Sequence, residues 1–453
     1  MSLLSQLKIH LSKSPLDDAK DIVVAFSGGV DSHVLLHALN ELKQCQEYAF
    51  QLHAIHIHHG LSPYADLWQN HCQQVCADLG VPFQTASVAV KAQPRQSLEA
   101  LARDARYQKL IELAPANSQI VLAQHQDDQL ETFLLQLKRG AGPKGLSAMN
   151  RQWLQKSTVS PDKEAYFYRP LLDIAQQEVI DYAEQHQLTW VEDESNKNTK
   201  FDRNFLRHDV LPILQKRWPG LSSSVSRSAT LCAQQQSMID EVCAEKLTVA
   251  AASVNSLWLA ELTTLSDEWL KQLVRFWLSE QGILSPSFAI LNQLKADVIE
   301  TVEDATPILQ WQGWQFRRFD QKLFVIPTPS VLPEFEVSWQ GEASLYLPAD
   351  LGHLVFTQEI SNETEPSSFL AFNPDLGPLT IRLGGYSAKL KPKGSPHSKP
   401  IKQWFKLWKI PPWERVASLV FLQNDTVIGL WVDGYWYLAD AGDFTKIVRV
   451  NVL

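Results

Sequence analysis

The chain has 453 residues, 45% of them apolar and 20% charged, which is the composition of a globular protein with two or three domains. It contains no run of about 18 apolar residues and no signal-peptide core in its opening stretch, so we expect no membrane span and a cytoplasmic location. Its five cysteines are never spaced as CxxC, which disfavours a disulfide framework and a structural zinc site.

Strand-like and helix-like patterns alternate through the first 215 residues. The strand-like segments are 22–26, 50–60, 81–90 and 119–125, and the helix-like segments are 31–43, 64–79, 98–114 and 127–140. Such alternation is typical of parallel strands joined by helices that cover both faces of a sheet. We therefore predict an α/β fold in which residues 1–215 form a Rossmann-like domain with a mostly parallel sheet.

The rest of the chain changes character twice. Residues 216–326 are rich in helical patterns, including 226–247 and 267–282, which predicts a helical second domain. Residues 327–345 begin with the Pro-rich sequence PTPSVLP and are predicted to be a linker. Residues 346–453 combine short strand-like runs with a basic segment, so we expect a small α+β domain there.

A short polar loop connects the first predicted strand to the first predicted helix. Its sequence, SGGVDS, comprises Ser27, Gly28, Gly29, Val30, Asp31 and Ser32. Glycines can adopt positive φ and allow close backbone approach, while amides at a helix N-terminus and the two hydroxyls suit phosphate oxygens. No lysine follows the glycines, so this is not a GxxxxGK[ST] loop. The alternative is a tight turn in which Asp31 or Ser32 only caps the helix.

Three carboxylates open the helix predicted at 127–140. Asp127, Asp128 and Glu131 follow a strand, so they are expected at the same sheet edge as the SGGVDS loop. Glu131 shares a helix face with Asp127 or Asp128, and two carboxylates there can hold Mg²⁺ on phosphate oxygens. The alternative is a solvated acidic first turn, which the helix dipole favours.

Arginines and histidines supply further candidates. The arginine groups with helical spacing are Arg103 with Arg106, and Arg203 with Arg207 around Asn204. Guanidinium groups clamp phosphates, but a solvated helix face or salt bridges to the acidic residues 192–194 would explain the same spacing. The HxHH sequence at 56–59 lacks a further ligand with zinc spacing, so metal binding is not favoured there. His125 contacts the ligand, acts in proton transfer or is a core histidine.

Residues 381–409 form a basic tract. They carry eight positive charges and no negative charge in a chain whose net charge is −9. Lysines attract phosphates in a salt-dependent manner, and exposed aromatic rings stack on unpaired bases. The tract therefore predicts an RNA-binding surface, with a solubilising loop beside packed tryptophans as the alternative. Its candidate contacts are Lys391, Lys393, Lys399 and Lys402.

Six further segments narrow the interpretation. They are HIHHGLSPYAD (56–66), LEALARDARY (98–107), HQDDQLET (125–132), KRGAGPKGLSAM (138–149), RPLL (169–172) and EDESNKNTKFDRNFLR (192–207). Together with SGGVDS they resemble the tRNA(Ile)-lysidine synthetases, a family of N-type ATP pyrophosphatases with an adenine nucleotide alpha hydrolase-like fold. Members of that family are C–N ligases. They adenylate the wobble cytidine (position 34) of an isoleucine tRNA with a CAU anticodon, and then join lysine to its C2, giving lysidine, AMP and pyrophosphate.

The resemblance implies a role for each candidate residue. ATP would bind at Ser27, Gly28, Gly29, Val30, Asp31, Ser32, His59 and Arg103. Catalytic roles are implied for Asp31, Asp128 and Glu131. Contacts to lysine, phosphate or tRNA are implied for Asp127, Asp128, Glu131, Arg106, Arg203, Asn204 and Arg207. Mg²⁺ binding is implied at Asp127, Asp128 and Glu131. Contacts to tRNA are implied in residues 216–326 and 346–453, where the four lysines of the basic tract would bind the tRNA.

Three other functions compete with this one. A tRNA thiolation enzyme of the same superfamily would need a reactive cysteine or an iron–sulfur cluster, and the absence of CxxC counts against it. An amidotransferase-type synthetase would need a glutaminase domain, and a non-catalytic RNA-binding protein would not need the loop and the carboxylates. The sequence leaves open the oligomeric state (a homodimer included), the bases that exclude elongator methionine tRNA, and the group that deprotonates the lysine amine.

Overall fold

The computed structural model describes the chain as two compact units, Met1–Asp240 and Glu241–Leu453. The residues that it describes are 2–12, 21–45, 50–58, 64–88, 98–160, 162–302, 305–348, 351–359, 370–372, 377–439 and 447–452. The domain borders predicted at 215, 326 and 345 stay predictions. None of the described helices combines the length and the apolarity that crossing a bilayer requires.

A six-stranded sheet forms the centre of the first unit. Its strands are β1 (Asp21–Ala25), β2 (Gln51–His58), β3 (Phe83–Ser87), β4 (Gln119–Val121), β5 (Gln152–Lys156) and β6 (Glu164–Tyr168). The strand order is β3-β2-β1-β4-β6-β5, and only β5 runs antiparallel to its neighbour. The predicted Rossmann-like, mostly parallel sheet is confirmed.

Helices cover both faces of this sheet. The helices that begin in this unit are α1 (Leu3–Ser12), α2 (Val30–Gln44), α3 (Ala65–Asp78), α4 (Leu98–Leu113), α5 (Gln126–Lys138), α6 (Pro143–Leu146), α7 (Gln176–Gln185), α8 (Asp202–Phe205), α9 (Leu211–Arg217) and α10 (Leu221–Ala250), the last of which continues into the second unit. A 3-10 turn at Glu194–Lys197 and a π-helical turn at Leu206–Val210 flank α8. Alternate residues of β1 enter opposite cores: Ile22 packs in the cluster that includes α2 and α7, and Val23 in the one that includes α4.

The topology places a ligand crevice beside β1 and β4. From β1 the sheet grows through β2 to β3 on one side, and through β4 to β6 on the other. Open α/β sheets bind ligands beyond the carboxyl ends of the strands at such a switch point. The SGGVDS loop follows β1, and four residues separate the end of β4 from the start of α5, so both border this crevice.

The second unit begins with the end of α10 and an antiparallel sheet of order β7-β8-β11-β10-β9. The strands are β7 (Ala251–Ser253), β8 (Ser256–Trp258), β9 (Ile308–Trp311), β10 (Trp314–Phe319) and β11 (Lys322–Pro327), and the helices are α11 (Leu259–Thr263), α12 (Asp267–Glu280) and α13 (Phe288–Gln293), followed by a π-helical turn at Leu294–Ile299. The helices predicted at 226–247 and 267–282 are confirmed. The sheet was not predicted, because strands of three to six residues give little alternation to detect.

The predicted small α+β region is also confirmed. Its strands are β12 (Phe335–Ser338), β13 (Ser344–Tyr346), β14 (His353–Glu359), β15 (Leu370–Phe372), β16 (Leu379–Leu383), β17 (Lys389–Leu390), β18 (Lys399–Pro400), β19 (Leu419–Gln423), β20 (Thr426–Val432), β21 (Tyr435–Leu438) and β22 (Ile447–Val452), with helices α14 (Ile401–Leu407) and α15 (Pro412–Arg415). Two of these strands, β12 and β13, lie in or across the end of the predicted linker 327–345. Phe335 and Val337 pack against the apolar core there, so this part of the linker is ordered sheet.

Candidate active site

The SGGVDS loop is closed by its own hydrogen bonds. The Ser32 hydroxyl accepts from the Ser27 amide at 3.2 Å, donates to the Gly29 carbonyl at 3.0 Å and lies 3.0 Å from the Ser27 hydroxyl. The Gly29 amide donates to the Ser27 hydroxyl at 3.4 Å. The first amides of α2 have no partner within the helix. Hydroxyl and amide donors that suit phosphate are thus grouped in one turn at a helix N-terminus.

Gly28 is the loop position that requires glycine. Its φ is +86°, and a β-carbon there would lie 2.9 Å from the Cys72 sulfur and 3.0 Å from a Val191 methyl group. Gly29 instead has a φ of −74°, and a β-carbon on it would meet only the Ser27 hydroxyl, at 3.6 Å. Of the two glycines, only Gly28 uses a positive φ, and Gly29 leaves open space beside the loop.

Asp31, His125 and Asp128 meet beyond the carboxyl ends of β1 and β4. The Nε2 atom of His125 lies 3.7 Å from Oδ1 of Asp31 and 3.5 Å from Oδ2 of Asp128. The same Asp128 oxygen accepts the His125 amide at 3.0 Å, which caps the start of α5. The Oδ1 atom of Asp31 is buried, and no described residue donates a hydrogen bond to it. A buried carboxylate oxygen without a donor is a position that a cation or a proton can fill.

Arg207 joins the two carboxylates on α5. Its Nη2 atom donates to Asp128 Oδ1 at 3.0 Å and to Glu131 Oε2 at 2.9 Å, and its Nε donates to Glu131 Oε1 at 2.6 Å. Asp128 and Glu131 are 9% and 1% exposed, so this is a buried ion-pair network. Arg207 belongs to the π-helical turn 206–210, a backbone feature that is frequent at functional sites.

The ionisation of the three carboxyl groups differs. Burial raises the pKa of Asp31 above its ordinary value, and His125 opposes this only in part. Burial acts in the same direction on Asp128, but His125, Arg207 and the His125 amide outweigh it and hold the pKa of Asp128 below its ordinary value. Burial raises the pKa of Glu131 despite its hydrogen bonds from Arg207. Asp128 is therefore the group most firmly ionised at neutral pH.

Asp127 lies apart from this cluster. Its Oδ2 accepts the Gln176 amide at 3.0 Å, and its Oδ1 accepts the Gln215 side-chain amide at 2.7 Å and the Ser222 hydroxyl at 2.8 Å. These donors belong to α7, α9 and α10, so the carboxylate ties those helices to α5. Both oxygens of Asp127 accept hydrogen bonds from protein groups, and the metal or lysine binding expected of this residue stays a prediction.

Two predicted arginines, Arg103 and Arg106, lie around the ring of Tyr107. Each guanidinium carbon is 5.6 Å from the ring centre, and the Nε of Arg103 donates to the Tyr107 hydroxyl at 3.3 Å. Burial raises the pKa of Tyr107, but Arg103, Arg169 and Arg106 together lower it below its ordinary value. None of the ion pairs found within the described ranges involves these three arginines. Such an excess of positive charge suits an anionic ligand.

Arg169 is a site residue that the sequence analysis did not single out. It is 4% exposed, stacks over Trp153 at 4.2 Å and donates to the Gln124 side chain at 2.8 Å. Burial lowers its pKa to about 10. Arg169 directly follows β6, which runs parallel to β4, so its place after a strand was the signal that could have identified it.

The remaining arginine and asparagine predictions lie beside the acidic pair. The Nη2 of Arg203 donates to the Thr132 hydroxyl at 3.0 Å, and its Nε lies 3.4 Å from Oε2 of Glu131. The side-chain amide of Asn204 donates to the Asn198 carbonyl at 3.0 Å, so it fixes the segment before α8. The sequence-predicted groups on α5 and on residues 203–207 are thus brought together, across about 75 residues of chain.

The histidines of β2 have separate positions. His56 is 5% exposed and its Nδ1 hydrogen-bonds to the Phe26 carbonyl at 2.9 Å, immediately before the SGGVDS loop. Nε2 of His58 lies 3.3 Å from Asp66 on α3. The nucleotide-binding role predicted for His59 concerns a residue outside the described ranges.

The basic tract presents lysines over a packed aromatic core. Lys391, Lys393 and Lys402 are exposed, and the ammonium of Lys399 lies 5.2 Å from the Trp404 ring centre. Trp404 and Phe405 are 8% and 2% exposed. These two rings are therefore core residues rather than platforms for bases, and the exposed lysines are the groups here that can attract RNA phosphates.

Family models match three parts of the chain. A PP-loop domain matches residues 3–214, a TilS substrate binding domain matches 257–324, and a TilS substrate C-terminal domain matches 379–448. The first match includes the SGGVDS loop, the α5 carboxylates and the arginine groups described above. The third includes the four lysines of the basic tract.

Similar proteins extend over nearly the whole chain. The tRNA(Ile)-lysidine synthase of Serratia proteamaculans is 40% identical over 424 residues, covering 94% of this chain and 93% of that protein. The tRNA(Ile)-lysidine synthase of Coxiella burnetii is 37% identical and covers 92% and 89%. Among solved structures, the U34-tRNA thiolase NcsA of Methanococcus maripaludis matches with a TM-score of 0.41 and 19% identity, covering 51% of this chain and 78% of that one, a likeness too low to bear on function. On these matches, the chain belongs to the tRNA(Ile)-lysidine synthase family.

Proposed function

We propose that this chain uses ATP to adenylate the wobble cytidine, position 34, of an isoleucine tRNA with a CAU anticodon, releasing pyrophosphate. The ε-amino group of L-lysine then attacks C2 of that cytidine, AMP leaves, and lysidine is formed. The observation that carries the proposal is the placement of the SGGVDS loop and of Asp31, Asp128 and Glu131 at one sheet edge. Hydrogen-bond donors that suit phosphate and carboxylates that can bind a cation lie side by side there. A two-step transfer of this kind requires both.

The loop and the arginines would bind different anionic groups of the substrates. The hydroxyls of Ser27 and Ser32 and the amides from Gly29 onward would hold the departing pyrophosphate. Arg103 and Arg106, with Arg169, would bind a phosphate of ATP or of the tRNA backbone near the cytidine, because their positive charge has no carboxylate partner among the described ion pairs. The wobble base has to leave its stack to reach this edge.

The carboxylates are the candidate ligands for the two kinds of cation in the reaction, Mg²⁺ and the ammonium groups of lysine. Asp31 fits a Mg²⁺ ligand because its buried Oδ1 has no protein donor, and Asp128 faces it across His125. Asp31 and Asp128 would hold this ion, whose positive charge would offset that of the ATP phosphates. Binding of a lysine ammonium group at Glu131 would require Arg207 to release one of the two Glu131 oxygens, since both accept hydrogen bonds from it.

The two cysteines on α3 give no support to thiolation, the alternative function. Cys72 and Cys76 are buried on α3, and burial raises the pKa of each thiol to about 12. Sulfur transfer requires an accessible thiolate, which these residues do not provide at neutral pH.

Mass spectrometry of the tRNA product tests the reaction. The full chain is incubated with an isoleucine tRNA transcript, ATP, Mg²⁺ and isotope-labelled lysine, with elongator methionine tRNA as the control substrate. We expect labelled lysidine at position 34 of the isoleucine transcript only, with one pyrophosphate released per modified tRNA. Sulfur incorporation when a persulfide donor is supplied, or tight tRNA binding without pyrophosphate release, would refute the proposal.

The lysines of the basic tract are proposed to bind tRNA phosphates. Replacing Lys391, Lys393, Lys399 and Lys402 by glutamine should weaken tRNA binding and flatten its dependence on salt by about 3 in the log–log slope. The measurement is filter binding over a range of salt concentrations. The matched control replaces four lysines of the first unit: Lys43, Lys109, Lys156 and Lys163. An unchanged slope in the basic-tract variant would show that tRNA binds elsewhere.

Two further expectations accompany this function. We propose a cytoplasmic location, where ATP, lysine and tRNA are all present. The homodimer considered from the sequence stays a prediction, to be tested by sedimentation.

A further inference from the structure

A second polar cluster joins α2 to α7. His37 and Glu41 lie one turn apart on α2, and Tyr182 and His186 lie one turn apart at the end of α7. The Tyr182 hydroxyl donates to Glu41 Oε2 at 2.7 Å and lies 3.0 Å from Nδ1 of His37. Nδ1 of His186 lies 3.8 Å from Oε1 of Glu41. None of these side chains has a role in the reaction proposed above.

The donor atoms of this cluster are close enough to share one ion. One ligand atom from each of His37, Glu41 and His186 lies within 4.8 Å of the other two. Donors in a tetrahedral zinc site are about 3.3 Å apart, so rotation of the side chains by about 1.5 Å or less would complete the geometry. The side chains of Glu41 and His186 are 34% and 24% exposed, which gives a hydrated ion access from solvent.

We propose that His37, Glu41 and His186 form a Zn²⁺ site whose fourth position is taken by water. Two imidazoles and a carboxylate match the ligand preference of zinc, whereas Mg²⁺ and Ca²⁺ prefer oxygen ligands throughout. The spacing supports this assignment, because residues one turn apart on a helix project from the same face. Tyr182 competes for Glu41 when the ion is absent.

Short contacts connect this cluster to the SGGVDS loop. His33 precedes His37 by one turn on α2, and its Nδ1 lies 2.8 Å from the Thr189 carbonyl. Two residues later, the Val191 amide donates to the Gly28 carbonyl at 3.1 Å. An ion bridging α2 and α7 would therefore brace both the helix that begins at the loop and the segment that supports Gly28. The role of the site is structural, and it is independent of the proposed reaction.

Metal titration of the full-length protein tests the site. After removal of metals with a chelator, Zn²⁺ binding is measured by calorimetry in excess Mg²⁺, and Co²⁺ is used as a spectroscopic probe of tetrahedral coordination. We expect one Zn²⁺ per chain, and an unfolding temperature raised by about 5–10 °C when zinc exceeds its Kd about 100-fold. His186→Ala and Glu41→Gln should each weaken binding by at least about 100-fold.

Matched variants separate this site from adventitious binding. Tyr182→Phe keeps all three ligands and should bind Zn²⁺ at least as tightly. His53→Ala removes a histidine that pairs with Asp21 at 2.8 Å, and Cys45→Ser removes an exposed thiol; both should bind normally. The proposal is wrong when the wild-type protein binds no zinc, when Glu41→Gln binds it unchanged, or when Cys45→Ser abolishes binding. Glu41→Gln is nearly isosteric, so its Zn²⁺ affinity tests the proposal even when an alanine variant folds poorly.

Discussion

Replacing Asp128 by alanine is expected to lower kcat/KM for pyrophosphate release by about 100- to 1,000-fold, with tRNA affinity nearly unchanged. Asp128 is the most firmly ionised carboxylate of the cluster. Its loss leaves Arg207 paired with Glu131 alone. It also removes the carboxylate that is proposed to hold Mg²⁺ together with Asp31. The measurement is steady-state pyrophosphate release with ATP, lysine and isoleucine tRNA. Filter binding of the tRNA is measured in parallel.

Two controls distinguish chemistry from folding in this experiment. Asp128→Asn keeps an acceptor for the His125 amide, so it should fold like the wild type while losing most of the activity. Asp202→Asn removes an exposed carboxylate that pairs with Lys138 at the surface, a contact worth about 1 kcal/mol or less, and it should retain full activity. More than a tenth of wild-type turnover in a folded Asp128→Ala protein would remove this carboxylate from the mechanism.

Gly28→Ala is expected to lower the free energy of unfolding by about 1–3 kcal/mol and to abolish ATP turnover. The new methyl group meets both a backbone with a φ of +86° and contacts of 2.9 and 3.0 Å with Cys72 and Val191. The chain has to shift at the turn that is proposed to hold pyrophosphate. Denaturant unfolding and pyrophosphate release measure the two effects on the same preparation.

Substitutions at two other glycines separate the effect of backbone strain from the effect on ATP binding. Gly80 has a φ of +65° with open space around its β position, so Gly80→Ala should show the backbone cost of about 1 kcal/mol with normal activity. Gly29→Ala has neither strain nor a clash, and should fold normally yet weaken ATP binding, because its methyl group would stand where phosphate approaches. Normal ATP turnover in both Gly28→Ala and Gly29→Ala would contradict the assignment of the loop.

The sheet and the loop were predictable because their signals are local. IVVAF next to SGGVDS contains the strand, the turn residues and the start of the helix in eleven consecutive positions. The order of strand and helix then fixed which loops share the carboxyl edge, so Asp128 and Ser27 could be placed together before any coordinates. The five-stranded sheet of residues 251–327 has no comparable signal, since its strands are short.

Contacts between segments far apart in the chain could not be predicted from the sequence. Helical spacing allows either Asp127 or Asp128 to share a face with Glu131, and only packing shows that Asp127 turns toward Gln215 and Ser222 instead. The partner of Glu131 is Arg207, 76 residues away, and no periodicity reveals such a contact. The place of Arg169 after a strand is visible in the sequence, but its position beside Tyr107 together with Arg103 and Arg106 is not.

A crystal structure with Mg²⁺ and a non-hydrolysable ATP analogue tests the central claim most directly. We expect the hydrogen bond between Ser27 and Ser32 to open, and the β- and γ-phosphate oxygens to lie about 3 Å from those hydroxyls and from the Gly29 amide. A triphosphate bound elsewhere, with the two serines still 3.0 Å apart and the turn sealed by its own side chains, would contradict it.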